Sequence, residues 1–168
     1  MKPIVRLLLA AVAWFTPLIV HAQREKLPPA DLAIVEKKWP DAKKTPTGLR
    51  YVILKEGTGN PPKIGDNIRV LYKGMLMDGT VFDEETNRNV GMEFRLGRDL
   101  VIQGWDQGLK LLKPGGKILL IIPPSLAYGT RGDPPKIPGN ASLVFEVELL
   151  DVNRVDPPRT PSLLQQKK

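Results

Sequence analysis

Between residues 47 and 152 the hydrophobic positions of this chain mostly recur at every second residue. In DNIRVLYKGML, Ile68, Val70, Tyr72 and Leu76 fall on one face and Arg69 and Lys73 on the other, the signature of a strand with one buried side. GMEFRLG sets Met92, Phe94 and Leu96 against Glu93 and Arg95, and SLVFEVELL sets Leu143, Phe145, Val147 and Leu149 against Glu146 and Glu148. With LRYVILKEG, the short TVFDE and the continuously apolar KILLIIP, about five to six strands are expected. Turns such as Asp78-Gly79 and Pro114-Gly115-Gly116 separate these short strands, which favours an antiparallel sheet.

One stretch of this region changes period. In VIQGWDQGLKLLKPGG, Ile102, Trp105, Leu109 and Leu112 take helical spacing, and Pro114-Gly115 stops the pattern. Gly104 and Gly108 weaken that helix by roughly 1 kcal/mol each relative to alanine, so close approach to the sheet is the expected return. The fold class that follows is α+β, a curved antiparallel sheet wrapped around one short α-helix.

The flanks read differently. Residues 1 to 22 carry two basic residues, an apolar run from Leu7 to Val20 and Ala22 at the end, the pattern of a signal peptide cut after Ala22. An uncleaved anchor is the rival reading, but the run is shorter than the roughly 20 residues a spanning helix needs and is broken by Thr16 and Pro17. Residues 23 to 46 form a polar, proline-punctuated linker in which a short helix is predicted from Asp31 as cap, with Leu32, Val35 and Trp39 on one face and Pro40 as its stop. Residues 153 to 168 read as a flexible tail.

Removing Lys2 and Arg6 with the signal lowers the net charge from +7 to +5. The basic residues are mixed with acids and form no aromatic-interleaved row, so neither nucleic-acid binding nor an OB-like or cold-shock barrel is favoured. The chain has no cysteine, and its single histidine, His21, lies in the signal. Thiol nucleophiles, disulfides, lipoprotein anchoring, zinc sites of the usual ligands and imidazole-dependent serine triads are thereby excluded from the mature chain. Neither metal nor cofactor is expected.

One segment resists a structural explanation. Residues 123 to 141, PPSLAYGTRGDPPKIPGNA, hold five prolines and three glycines between two apolar strands. Loops longer than about 12 to 15 residues are uncommon in compact domains unless they are functional or disordered. Proline and glycine shape a backbone, which makes a binding loop the first expectation, with Tyr128 as its one aromatic. Tyr72, Phe82, Phe94, Trp105 and Phe145 lie on apolar faces and read first as core, Phe94 above all. Asp83 stands directly after Phe82, although its ordinary reading in the run DEE is a solvated turn. Small-ligand sites pair an apolar wall with a few placed polar groups, and Asp83 and Tyr128 are the polar candidates.

The blocks VLYKGMLMDGTVFDEE, FRLGRDLVIQGWDQGLKLLKPGGKILLIIPPSLAYG and IPGNASLVFEVELL resemble, in order and spacing, the FK506-binding (FKBP-type) peptidyl-prolyl cis-trans isomerases, over residues 47 to 151. The resemblance implies a pocket of Tyr72, Phe82, Asp83, Ile102, Trp105, Tyr128 and Phe145, with Trp105 as floor and the Ile102 amide and Tyr128 hydroxyl donating to peptide carbonyls. It further implies that Arg88 orients Asp83, and that Met92, Val101 and Ile137 line the wall. Met92 replaces a usual aromatic, Lys136 stands where an apolar residue is common, and Asp133 where a histidine often sits. The partners implied are proline-containing polypeptides and FK506- or rapamycin-type macrolides, the place of action the periplasm. About 25 residues ahead of the domain are too few for the long dimerisation arm of many periplasmic relatives, so a monomer is expected. The alternative is a weakly active peptide-binding chaperone or interaction module with the same pocket.

Overall fold

The computed structural model describes residues 25–154. The signal-peptide reading of residues 1 to 22 and most of the predicted tail lie outside the described residues. Within them, strands β1 (Lys43–Lys44), β2 (Arg50–Lys55), β3 (Asn67–Leu76), β4 (Val81–Glu85), β5 (Met92–Arg95), β6 (Lys117–Ile122) and β7 (Leu143–Asn153) build one antiparallel sheet. The strands follow the order β1-β2-β6-β7-β3-β4, with β5 also paired to β3. β3 is the hub: it pairs with β7 along its length, while its first half binds β5 and its second half β4. Register breaks between Arg69 and Val70 and between Gly74 and Met75 add the local bends that curl a sheet.

On the concave face lies α2 (Gln103–Gly108), extended by a single 3-10 turn, Leu109–Leu111. The predicted helix is thus real but short, and its two glycines face the sheet at contact distance. A Cβ on Gly104 would come 2.5 Å from Ile122 Cγ2, and one on Gly108 would come 2.5 Å from Leu120 Cδ2. Trp105, Leu109 and Leu112 pack on Ile118, Leu120, Ile122, Phe145, Val147 and Leu149 as the main core.

The convex face is covered too, by the segment read from sequence as a linker. α1 (Pro29–Lys38) and its approach bury Leu27 and Val35 against Met77, Leu119, Ile121 and Val144, with Leu32 and Trp39 at the margin. β1 then joins the sheet beside β2. This explains the apolar run in KILLIIP: Ile118, Leu120 and Ile122 meet α2, while Leu119 and Ile121 meet α1, so β6 has no solvent face from Ile118 to Ile122. The helix starts two residues before the expected cap. Pro29 takes the first turn, where its missing N–H is no loss, and Asp31 lies inside that turn without capping it. Glu25 pins the strap, accepting from Lys44 Nζ at 2.9 Å and Arg50 Nη2 at 2.9 Å and from the amides of Lys26 and Leu27.

Candidate functional site

The open end of the concave face holds a cleft of about 150 Å³ lined by Tyr72, Phe82, Asp83, Met92, Leu100, Val101, Ile102, Trp105, Tyr128 and Phe145. Its position follows from the local sequence. β3 contributes Tyr72, β4 Phe82 and Asp83, β5 Met92, β7 Phe145, and the turn into α2 contributes Val101 and Ile102. Gly97 N–H donates to Asp106 Oδ1 at 2.7 Å, which ties the end of β5 to the first turn of α2 and fixes that entry.

Trp105 forms the floor, 4% exposed. Its ring meets Tyr72 at 5.1 Å and Phe145 at 5.2 Å, both edge to face, and Phe94 lies tilted at 5.8 Å. Phe82 meets Phe145 edge to face at 5.5 Å. Such arrangements are the favoured ones for aromatic quadrupoles and hold the rings stiffly. Gly74 makes the cluster sterically possible, since a Cβ there would lie 2.7 Å from both Phe145 Cε1 and Phe82 Cζ.

Three donors are left over at this site. The indole Nε1 of Trp105 is buried with no partner. Ile102 N–H enters none of the described hydrogen bonds, although its carbonyl accepts from Trp105 and Asp106 at the start of α2. Tyr128, 39% exposed, has no described hydrogen bond from its hydroxyl. Of these, the Ile102 amide and the Tyr128 hydroxyl belong to residues that line the apolar cleft, an arrangement that suits a guest with carbonyl oxygens.

The 123–141 segment is shaped. Gly129 and Gly132 adopt φ of +60° and +68°. Asp133 and Ile137 exchange backbone bonds of 2.8 and 2.9 Å, Gly132 N–H reaches the Tyr128 carbonyl at 3.2 Å, and Asn140 N–H reaches the Gly129 carbonyl at 2.8 Å. A small internal hairpin therefore carries Tyr128 to the cleft.

Tyr72 donates its hydroxyl to Asp83 Oδ2 at 2.7 Å. Burial first, then that bond and the charge of Asp83, push the Tyr72 phenol far above its ordinary value. Burial also raises Tyr128, helped by the charges of Asp133 and Asp83. Both hydroxyls thus stay protonated at neutral pH.

Every residue expected at the cleft lines it except two. Arg88 does not orient Asp83: its guanidinium, on a 64% exposed side chain, donates to both carboxylate oxygens of Glu148 at 2.9 Å, and Tyr72 takes the expected role instead. Ile137 is not wall but core, 3% exposed and packed with the main cluster, because its backbone pairing with Asp133 turns the side chain inward. Phe94 is core as expected, backing Trp105 from behind. The sequence reading missed Leu100, which is 63% exposed yet lines the mouth. A lone apolar residue in the turn GRDL has no period to reveal it; its adjacency to Val101 and Ile102 was the available sign. A larger depression of about 210 Å³ on the outer face is lined mostly by charged and polar residues, Lys73, Glu85, Thr86, Lys117, Glu146 and Glu148, with Leu71 and with Tyr72 as its one aromatic, against five aromatics at the Trp105 cleft.

Residues 58–150 match the family model described as FKBP-type peptidyl-prolyl cis-trans isomerase. Over 110 residues the chain is 53% identical to the FKBP-type peptidyl-prolyl cis-trans isomerase FkpA of Escherichia coli (strain K12), covering 66% of this chain and 40% of that one. Over 103 residues it is 47% identical to FK506-binding protein 1 of Dictyostelium discoideum, covering 61% of this chain and 96% of that one. The crystal structure of FkpA from Escherichia coli superposes with a TM-score of 0.68 at 47% identity, over 76% of this chain and 59% of that one. A peptidyl-prolyl cis-trans isomerase from Pseudomonas syringae pv. tomato superposes at 0.66 and 36% identity, over 74% of this chain and 92% of that one. The matched region is 40% of the length of FkpA, so this chain parallels only part of that relative.

Proposed function

This chain belongs to the family of FKBP-type peptidyl-prolyl cis-trans isomerases, and from that premise we propose that it accelerates rotation about X-Pro bonds in polypeptides within the Trp105 cleft. The observation that carries the proposal is a cleft walled by aromatic and aliphatic side chains and lined by two residues with open donors, the Ile102 amide and the Tyr128 hydroxyl.

Rotation of an X-Pro bond crosses a barrier of roughly 18 to 20 kcal/mol because amide resonance must be broken. Unaided exchange takes tens to hundreds of seconds. No covalent bond is made or cut, so no nucleophile or base is required. The planar amide is the more polar state and loses its hydration in an apolar cup, whereas the twisted amide loses less; the difference lowers the barrier. Each tenfold acceleration needs about 1.4 kcal/mol of such preference. In this reading Trp105, Phe82 and Phe145 exclude water and seat the proline ring, while Val101 and Met92 close the wall. Ile102 N–H and Tyr128 Oη–H hold carbonyls on either side of the twisting bond. Asp83 fixes the Tyr72 ring through its hydroxyl and acts as scaffold, with no proton to remove.

The predicted signal peptide and the similarity to FkpA support action on exported chains in the periplasm. No helix among the described residues is long and apolar enough to cross a membrane. The deciding experiment is a proline-peptide isomerisation assay on the chain from Gln23 onward, with and without an FK506-type macrolide. Acceleration that the macrolide abolishes is expected. Acceleration that survives Phe82→Ala combined with Tyr128→Phe would place the chemistry elsewhere.

A further inference from the structure

A second depression, of about 320 Å³, opens where three separated stretches meet: the start of α1, the β3–β4 hairpin and the return leg of the proline-rich loop. Leu76 and Met77 give it an apolar side. Asp31, from the first turn of α1, and Asp78, from the hairpin, give it two carboxylates, and no lysine or arginine lines it. Asp31 is half-buried and enters no hydrogen bond or ion pair among the described residues. Asp78 Oδ1 accepts from the Thr80 amide at 2.8 Å, which fixes its carboxylate. Asn140 and Ser142 complete the polar lining from the loop side. Ser142 is 1% exposed, and its Oγ has no partner among the described residues. Buried hydroxyls are ordinarily hydrogen-bonded, and this one points to a group supplied from outside the chain.

The nearby cations are placed elsewhere. Lys38 reaches Asp78 with its charge, but it lies over the Trp39 ring at 5.8 Å and lines a separate, smaller depression beside Gly79. The Lys26 stem packs at Gly48. Arg131 and Lys136 are exposed on the loop, and neither lines the depression. Among the described residues no three acidic or histidine side chains gather, so two carboxylates with a hydroxyl, an amide and an apolar wall suit a charged group on an aliphatic stem better than a bare metal ion. The depression also shares strands with the Trp105 cleft. On β7 and its approach Phe145 lines the cleft and Ser142 the depression, and on β3 Tyr72 lines the cleft and Leu76 the depression. At about 3.4 Å per residue these spacings set the two sites about 10 to 14 Å apart, the span of about three to five residues of extended polypeptide.

Resting on the isomerase reading, we infer that this depression is a second subsite for the same polypeptide, taking a lysine or arginine side chain about three to six residues from the proline held over Trp105. The aliphatic stem lies on Leu76 and Met77, and the charged end meets Asp31 and Asp78, with Ser142 Oγ and the Asn140 side-chain carbonyl as further acceptors. One carboxylate at about 7 Å in near-aqueous surroundings changes affinity about threefold for a single opposite charge, and the pair about five- to tenfold at low salt.

The test measures kcat/KM, on the chain from Gln23 onward, for proline peptides of one framework in which a single Lys or Ala is stepped about one to eight residues from the proline on either side, at about 0.02 M and about 0.5 M salt. Lys is expected to exceed Ala about five- to tenfold at a spacing of about three to six residues on one side, with no gain next to the proline and little gain at high salt. Asp31→Asn combined with Asp78→Asn is expected to erase the gain and leave the Ala peptides unchanged, since neither residue lines the cleft. Ser142→Ala is expected to reduce the gain about twofold without loss of stability in urea unfolding, because removing an unpartnered hydroxyl orphans no other group. Absence of a Lys gain at every spacing, or a gain that survives the double variant, overturns the inference. If even the Ala peptides show no acceleration, the isomerase reading fails by itself. The second subsite is then decided by backbone amide NMR shifts on titration with the Lys peptide whose proline is replaced by alanine. Shifts at Asp31, Asp78 and Ser142 that vanish in the double variant support it, and unmoved amides there overturn it.

Discussion

Gly74→Ala puts a methyl group where β3 has room only for hydrogen. Its carbon would lie 2.7 Å from Phe145 Cε1, 2.7 Å from Phe82 Cζ and 2.8 Å from Phe82 Cε2. Carbon contacts settle near 3.5 to 4.0 Å, so both rings must withdraw by about 1 Å. Phe145 cannot move alone, because Trp105 abuts it at 5.2 Å and Tyr72 at 6.4 Å. The displacement is therefore carried to the floor of the cleft. Overpacking of this kind costs about 1 to 3 kcal/mol, and alanine returns about 0.5 to 1 kcal/mol by restricting the unfolded strand. A net loss of about 0.5 to 2 kcal/mol in urea unfolding is expected, with kcat/KM on a proline peptide falling about tenfold under conditions where the variant is fully folded. Gly79→Ala is the control: it meets no atom within 4 Å but sits at φ +95°. That variant loses stability through backbone strain and keeps its activity. Unaltered kcat/KM in Gly74→Ala, with the stability of the parent, would refute the argument that the Phe82 and Phe145 rings hold the Trp105 floor in place.

Tyr128→Phe removes one open hydroxyl and leaves the ring, so kcat/KM is expected to fall about two- to tenfold with stability nearly unchanged, as peptide kinetics beside urea titration would show. Because the Tyr72 and Tyr128 phenols are raised by burial and by adjacent carboxylates, both remain donors through the ordinary tyrosine range. Their protonated form is favoured in the folded state, so their contribution is complete below about pH 10 and is lost only as pH rises through the higher folded values. A flat kcat/KM from about pH 6 to pH 9 is expected, and a steep single ionisation within that span would contradict it. Glu25 behaves with the opposite sign: burial opposes its charge, but bonds from Lys44, the Leu27 amide, Arg50 and the Lys26 amide outweigh it and hold the carboxyl at about 2, below the ordinary 4.5. Glu25→Gln is expected to lower the Tm above pH 4.5, with the difference from the parent closing as pH falls toward 2.

The strands were legible because most have one wet face. Ile68, Val70 and Tyr72 alternate with Arg69 and Lys73, and β3 appears where that alternation lies. The close approach of α2 was legible in Gly104 and Gly108, since a glycine within a helical pattern needs a reason. The docking of residues 25 to 46 was not. α1 buries only Val35 completely, and such a weakly amphipathic segment gives little sign of what it covers. The sign lay instead in its partner, a strand apolar on both faces from Ile118 to Ile122. At the site, side-chain type indicated Trp105 and Tyr128, but residue type does not state direction. Arg88 turned to Glu148 because that carboxylate lies across the exposed outer face, and Ile137 turned inward because the loop closes on itself through Asp133.

β7 is the last strand among the described residues, yet it occupies the middle of the sheet, between β6 and β3. Without Leu143–Asn153, β1-β2-β6 would make one ribbon and β3-β4-β5 another, with no ladder joining them. A nascent chain in which that strand is still inside the ribosome therefore lacks the piece that would lock the two ribbons together, and cooperative closure waits for the strand to emerge.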